Sequence, residues 1–213
     1  MTGHLYLMRH GETEFNRADL VQGRCDSPLT ACGIAQAHIA ARWLADRGAD
    51  FDQLVSSPLG RARSTAELIR DDLIERGRSV PPAVALDGLI ERSYGSLEAG
   101  PRANVPADLW DPGDAVVPFG GESKRDARGR VVRALSQLMA DAGSKTVLAI
   151  SHGALMVQFR QAWVAYARCA QDGYIGNCCV LVFSYDAATG AFSNTSIVNH
   201  DFSELHGTCE ERC

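Results

Sequence analysis

The chain predicts an α/β three-layer sandwich: a mainly parallel sheet with an antiparallel edge and helices on both faces. Three observations carry this. Short apolar runs alternate with stretches of helical periodicity, as in strands joined by crossover helices. The run Lys145–Ile150, KTVLAI, has the continuous apolar character of a buried strand. Two further apolar runs near the C-terminal end flank the turn Asp186-Ala-Ala-Thr-Gly190 and read as an antiparallel hairpin.

In order, Leu5–Met8 is the first buried strand. From Ala31 to Arg47, Ile34, Ala37, Ala41, Leu44 and Ala45 share a helical face, with Thr30 placed to cap the start and Gly48 to end it. Leu54-Val55 is a short strand. Pro58 then opens a helix to about Ile74, with Ser57 as its N-cap. Val84–Leu86 is a weak strand. Glu122–Ala142 is a helix with Val131, Val132, Leu135, Leu138 and Met139 apolar, and Gly153–Ala167 is another. Val180–Tyr185 and Phe192–Val198 form the hairpin. Gly88–Gly121 is rich in Gly and Pro and lacks a period; it predicts an irregular excursion over one edge of the sheet, variable over 92–121. No repeat or composition shift divides the chain, so 1–213 reads as one domain with a loose tail over 203–213.

A net charge of -5 argues against nucleic acid or an anionic membrane as the main partner. No apolar run reaches membrane-spanning length, and the start, MTGHLYLMRHGE, lacks the features of a signal peptide, so a cytoplasmic location is expected. The seven cysteines are odd in number, irregularly spaced and without a CxxC, unlike a secreted disulfide framework. His206, Cys209 and Cys213 fall short of a metal site, and Cys209 and Cys213 read as free thiols. His200, Asp201, Glu204 and His206 also lack the further ligands of a metal phosphohydrolase. No cofactor or metal is expected. A homodimer remains open.

In an open parallel sheet, ligands bind beyond the C-terminal ends of the strands. Three strand ends here carry the same chemistry: Arg9-His10-Gly11, Ser56-Ser57-Pro58-Leu59-Gly60-Arg61 and Ser151-His152-Gly153. Glu91 follows the weak third strand. Two Arg and two His converging on one rim need an anion to be stable together. Arg61 and Gly153 lie at helix starts, where backbone N–H groups also face an anion, and guanidinium forks match phosphate oxygens. His38, His4 and Arg63 read as surface residues. Thr13 and Ser57 could donate to a phosphate or serve as turn and cap residues.

The stretch LMRHGETEFN (Leu7–Asn16) resembles the signature of the histidine phosphatase superfamily, which includes the cofactor-dependent phosphoglycerate mutases. The resemblance continues through QGRCDSPLTACGIAQA (Gln22–Ala37), SSPLGRARSTAELI (Ser56–Ile69), LIERSYGSLEAG (Leu89–Gly100), FGGES (Phe119–Ser123) and SHGALM (Ser151–Met156), in order. It implies a phosphoglycerate mutase-like sandwich in which His10 becomes phosphohistidine. Arg9, Arg61 and His152 would hold the phosphoryl oxygens with Asn16 nearby, Glu91 would serve the leaving oxygen as acid and then water as base, and Gln22 and Gly23 would line the substrate side. Ser57 and Gly153 are candidate phosphate contacts. Chemically, an attacking imidazole must be neutral, and neighbouring guanidiniums favour that form. Its second nitrogen needs a fixed acceptor, for which a carbonyl in the turn around Gly11 is placed.

Glu91-Arg92-Ser93-Tyr94-Gly95 resembles the mutase branch, which implies substrate contacts for Arg92 and Tyr94, although Ile90 and Ser93 replace an Asn and a His of that pattern. The mutases also carry a longer basic insertion that binds a second phosphate. Here Leu97–Gly121 holds Arg102 alone against Glu98, Asp108, Asp111 and Asp114. The expectation is a metal-independent phosphomonoesterase acting on a small phosphorylated metabolite, in which water resolves the phosphohistidine and the excursion over 92–121, with Tyr94, Trp110 and Phe119, covers the pocket. A bisphosphoglycerate-dependent mutase is the alternative. An inactive phospho-ligand sensor is a second, and it sits poorly with His10, Arg9, Arg61, Glu91 and His152 all being present.

Overall fold

Strands β1 (Thr2–Arg9), β2 (Gln53–Ser56), β3 (Ala83–Ala85), β4 (Thr146–Ser151), β5 (Val180–Asp186) and β6 (Ala191–Val198) form one sheet in the order β3-β2-β4-β1-β5-β6. The computed structural model describes residues 2–106, 108–142 and 145–205. β1, β2, β3 and β4 pair in parallel, while β5 runs antiparallel to β1 and β6 antiparallel to β5. The β1–β4 register runs from His4 opposite Thr146 to Arg9 opposite Ser151. His10 and His152 therefore leave adjacent strands at the same level, and the His10 N–H donates to Ser151 O at 3.0 Å.

The strands alternate between two cores, as period-two side chains require. Leu5, Leu7, Val147 and Ala149 face α4 (Lys124–Ala142) and α5 (Gly153–Ala162). Met8, Leu54, Leu148 and Ile150 face α2 (Ala31–Asp46) and α3 (Gly60–Glu75), and a single turn, α1 (Glu14–Arg17), follows β1. The sandwich is thus the expected one: helices on both faces of a mainly parallel sheet. No helix among the described residues is long and apolar enough to cross a membrane.

Element ends differ from the sequence expectation for physical reasons. On α2 the inward stripe is Gly33, Ala37, Ala40, Ala41 and Leu44, so small residues set a close approach; Ile34, expected inside, is 39% exposed. Thr30 does cap this helix, its hydroxyl accepting from Gly33 N. α3 starts at Gly60, not Pro58, and Leu59 occupies its cap position without a side-chain bond. The Asp26 carboxylate, from a distant loop, takes up the cap by accepting from Gly60 N and Arg61 N. Ser57 instead accepts from Leu59 N in the preceding turn. α4 begins at Lys124 because Glu122 is engaged elsewhere: its carboxylate binds Arg130 and its N–H donates to Ser93 O. α5 stops at Ala162, where Trp163 turns to pack on Phe192 and a 3₁₀ turn, Val164–Tyr166, replaces the expected continuation.

The excursion between β3 and α4 contains 3₁₀ turns at Asp87–Leu89, Gly95–Leu97, Arg102–Asn104 and Val117–Phe119. It lies over the C-terminal rim of the sheet and not merely over an edge. Val21 N donates to Gly100 O and Ala99 N to Val21 O, stitching it to the loop after α1. Ser203–Leu205 form a 3₁₀ turn, with Glu204 bound by Arg42; the rest of the expected loose tail, including Cys209 and Cys213, lies outside the described residues. Cys32 is disulfide-bonded, whereas Cys25, Cys169, Cys178 and Cys179 are free thiols.

The turn after His10 is clamped by both helices on its face. Gly11 N donates to Thr65 Oγ1 and Glu12 N to Gln36 Oε1. α2 comes so close that a Cβ on Gly33 would lie 2.0 Å from Glu12 O, and one on Gly11 2.5 Å from Gly33 O. Inside a helix, Gly→Ala ordinarily stabilises by about 1 kcal/mol. Gly33→Ala should do the reverse, costing about 1–3 kcal/mol through overpacking, and urea denaturation gives the sign. An unchanged or raised midpoint would show that the contact relaxes freely.

Candidate active site

His10 is buried and its Nδ1 lies 2.7 Å from Gly11 O. A carbonyl only accepts, so Nδ1 carries the hydrogen and Nε2 keeps its lone pair. That nitrogen accepts from Arg61 Nε at 3.3 Å. Burial first, then Arg61 and Arg9, hold the His10 pKa well below its ordinary value of 6.5, which favours the neutral imidazole, with the Nε2 electron pair turned to the Arg61 guanidinium.

Arg61, in the first turn of α3, is fixed by the loop after α1: its guanidinium donates to Gly23 O at 2.7 Å, Cys25 O at 2.8 Å and Asp26 Oδ1 at 2.9 Å. Arg9, the last residue of β1, donates to Ile175 O at 3.1 Å, while its buried Nε has no partner among the described residues. His152 packs beside His10 with ring centres 5.2 Å apart. Both its nitrogens are buried without a partner among the described residues, and burial, Arg61 and His10 hold its pKa well below 6.5. His152 lies behind His10, outside the residues that line the recess, and unpartnered buried nitrogens on it and on Arg9 suit a ligand that supplies the missing bonds.

Glu91 closes the opposite side. Its carboxyl accepts from Arg92 N at 2.8 Å, Leu155 N at 2.9 Å and Ala154 N at 3.1 Å, the last two at the start of α5. Those bonds and Arg61 favour the anion, yet burial outweighs them and raises the Glu91 pKa above its ordinary 4.5. A base held toward its neutral form and a carboxyl held toward its acid form therefore line one recess.

Asn16, Gln22, Gly23, Tyr94 and Gly153 also line this recess. Thr13 does not reach for a ligand; it caps α1 in a reciprocal pair with Asn16 and accepts from Gln22 Nε2 at 2.8 Å. Two candidates are placed elsewhere. Ser57 is fully buried in its turn, outside the recess lining. Arg92 is fully buried and turned into the excursion, donating to Glu122 O and Gly113 O, so it braces backbone where a substrate contact was expected. His38, His4 and Arg63 are exposed, His38 pairing with Asp72.

Sequence reasoning missed two contributors. Asp26 locks Arg61 and caps α3; its place in QGRCDSPLT was the available signal. Asn177 donates to His10 O and Asn16 Oδ1 from the loop before β5, and no motif marks it. Of the aromatics that the excursion was expected to bring over the pocket, Tyr94 and Trp110 line the recess and Phe119 does not; the Trp110 ring lies 4.6 Å from the Arg9 guanidinium carbon. Among the described residues no three His, Cys, Asp or Glu side chains group as a metal site, and His200, one of the residues weighed for that role, stacks on Trp43.

Known proteins share this sequence and fold. The pattern of the histidine phosphatase superfamily (branch 1) matches residues 5–197. A 2,3-bisphosphoglycerate-dependent phosphoglycerate mutase of Methylobacterium sp. (strain 4-46) is 39% identical over 135 residues, covering 60% of this chain and 64% of that protein; the match thus spans less than two thirds of that relative. A mutase of the same description from Methylorubrum populi is 35% identical over 161 residues, covering 70% and 73%. The structure of a phosphoserine phosphatase from Entamoeba histolytica in complex with 3-phosphoglyceric acid superimposes with a TM-score of 0.71 at 26% identity, over 93% of this chain and 98% of that one. With that match running from β1 to β6, the chain belongs to the histidine phosphatase superfamily.

Proposed function

We propose that the chain is a metal-independent phosphomonoesterase that works through a phosphohistidine on His10. The observation that carries the reading is the His10 tautomer: Nδ1 is tied to Gly11 O, and Nε2 is the unprotonated nitrogen, accepting from Arg61 Nε in a cleft lined by Arg9, Arg61 and Glu91. In the first step Nε2 forms a bond to phosphorus and the ester P–O bond breaks, with Glu91 giving its proton to the leaving oxygen. In the second, Glu91 takes a proton from water as the water oxygen attacks phosphorus and the P–N bond breaks, releasing phosphate. Arg9, Arg61 and His152 stabilise the charge on the phosphoryl oxygens, the main need in phosphoryl transfer.

The cation count favours hydrolysis over mutase activity. A bisphosphate carries a second phosphate, and the recess lining offers no guanidinium or ammonium beyond Arg9 and Arg61. Arg92 lies outside that lining, its Nε and Nη2 donating to backbone carbonyls and its Nη1 buried without a partner among the described residues. The mutase reading is kept because relatives at 35% and 39% identity carry that description. Separate assays of phosphate release and of bisphosphoglycerate-dependent phosphoglycerate isomerisation decide; rapid isomerisation with negligible release would replace the phosphatase reading. A small phosphorylated substrate and a cytoplasmic location complete the proposal.

His10→Ala should abolish turnover and the acid-labile protein phosphate, and hydrolysis that survives it would remove His10 as nucleophile. Glu91→Gln should lower kcat by roughly 10²–10⁴ for an alkyl ester. For pH dependence the signs are set by the two shifts. His10 reacts as the neutral base, and its lowered pKa keeps it neutral as pH falls through 6.5. Glu91 acts first as an acid, and its pKa is raised above 4.5. Activity should therefore persist below pH 6.5 and decline as pH rises through the Glu91 pKa. A kcat/KM profile that instead collapses on acidification through 6.5 would contradict a depressed His10.

A further inference from the structure

The two ends of the recess differ in chemistry. Arg9, Arg61, His10 and Glu91 gather at one end, and the rest of the lining is Leu20, Val21, Tyr94, Leu109, Trp110 and Ala154, with the amides of Asn16 and Gln22. Both amides are already used by the protein: Asn16 Oδ1 accepts from Thr13 N and Asn177 Nδ2, and Gln22 bonds Thr13 and Ser27. Arg102, the one basic residue of Leu97–Gly121, lies outside this lining in a neighbouring cavity that shares Leu109 and Trp110 with it, its guanidinium carbon 5.7 Å from the indole centre and its Nη1 3.8 Å from the Asp19 carboxylate.

The apolar wall is built in. Trp110 is pinned at three consecutive residues: Leu109 O accepts from the Tyr94 hydroxyl, Trp110 N donates to Asp108, and Asp111 accepts from Lys124 at 2.8 Å, Gln161 at 2.9 Å and Gln158 at 3.0 Å. Gly153 leaves room for the indole, since a Cβ there would sit 1.9 Å from Trp110 Cζ3. A preformed apolar surface binds an apolar group without ordering cost, and it leaves a charged group desolvated and unpaired.

We infer that the leaving group is an uncharged, apolar or aromatic alcohol: the cleft pairs a cationic phosphoryl end with an apolar wall roofed by Trp110, and among the described residues its lining holds no cation beyond Arg9 and Arg61. This rests on the phosphatase reading. The test compares n-hexyl phosphate with 3-phosphoglycerate, both esters of a primary alcohol, and n-hexylphosphonate with 3-phosphonopropionate as non-hydrolysable ligands. The apolar member of each pair should be favoured by about tenfold or more, in kcat/KM and in calorimetric affinity. Trp110→Ala, checked for folding by circular dichroism, should raise KM for hexyl phosphate about tenfold while changing kcat less. Equal or better use of 3-phosphoglycerate, matched by tighter binding of the carboxylated phosphonate, overturns the inference, and it does so without the variant. If no ester is hydrolysed, the phosphatase reading fails, and the two phosphonate affinities still decide for or against the apolar wall.

Discussion

Two guanidiniums and two imidazoles sit together out of water, and the rest of the molecule is arranged around that fact. Burying like charges together is costly unless something compensates. Here the imidazoles answer by giving up their protons: burial and the adjacent guanidiniums hold His10 and His152 neutral. The guanidiniums answer by binding the chain itself. Arg61 reaches two carbonyls and Asp26, and Arg9 reaches Ile175 O. The cluster is thereby held with its imidazoles biased to the neutral form before any ligand arrives, which is preorganisation in the electrostatic sense.

The scaffold's part is to bring these groups to one level. Parallel pairing of β1 with β4 sets Arg9 opposite Ser151, so the next residue of each strand is a histidine at the rim. Much of this was legible in sequence, because apolar runs mark strands and each of the three strand ends carried a charged or titratable residue. The hairpin was legible for the same reason. Less legible was anything fixed by tertiary contact. Ser57 looked like the cap of α3, but the Asp26 carboxylate arrives from 34 residues away to take that place. Ala37, Ala41 and Leu44 of the expected helical stripe are buried, but the close approach at Gly33, Ala37 and Ala40 centres the inward face so that Ile34 falls at its margin. Arg92 looked like a ligand-binding arginine because its neighbours follow a family pattern; its direction depends on where Glu122 O and Gly113 O lie, which no local pattern encodes.

Asp26 shows why such residues matter to the chemistry. One carboxylate holds the guanidinium of Arg61 and the backbone at the start of the helix that carries it. The position of the cation and the position of its helix are therefore a single constraint. The same loop offers Gly23 O and Cys25 O to Arg61, and Glu98 in the excursion accepts from Cys25 N and Tyr94 N. The substrate-side cover and the phosphate-binding cation are thus joined through one short loop, and a change in the cover reaches Arg61 by way of Glu98.

That coupling bears on how one site geometry serves both hydrolysis and group transfer within a family. The phosphoryl end is set by β1, β4 and the starts of α3 and α5, elements buried in both cores. The cover is set by 3₁₀ turns and side-chain bonds such as those of Asp111, half-buried and built from residues outside the sheet. Retaining a phosphoenzyme long enough to return its phosphate to a second acceptor requires that acceptor to be held by charge, because water is always the more abundant nucleophile. In this chain the cover supplies Tyr94, Leu109 and Trp110 to the recess and turns Arg92 away from it. The cationic end and the cover are thus built from separate parts of the chain, and the cover meets the recess mainly with apolar side chains.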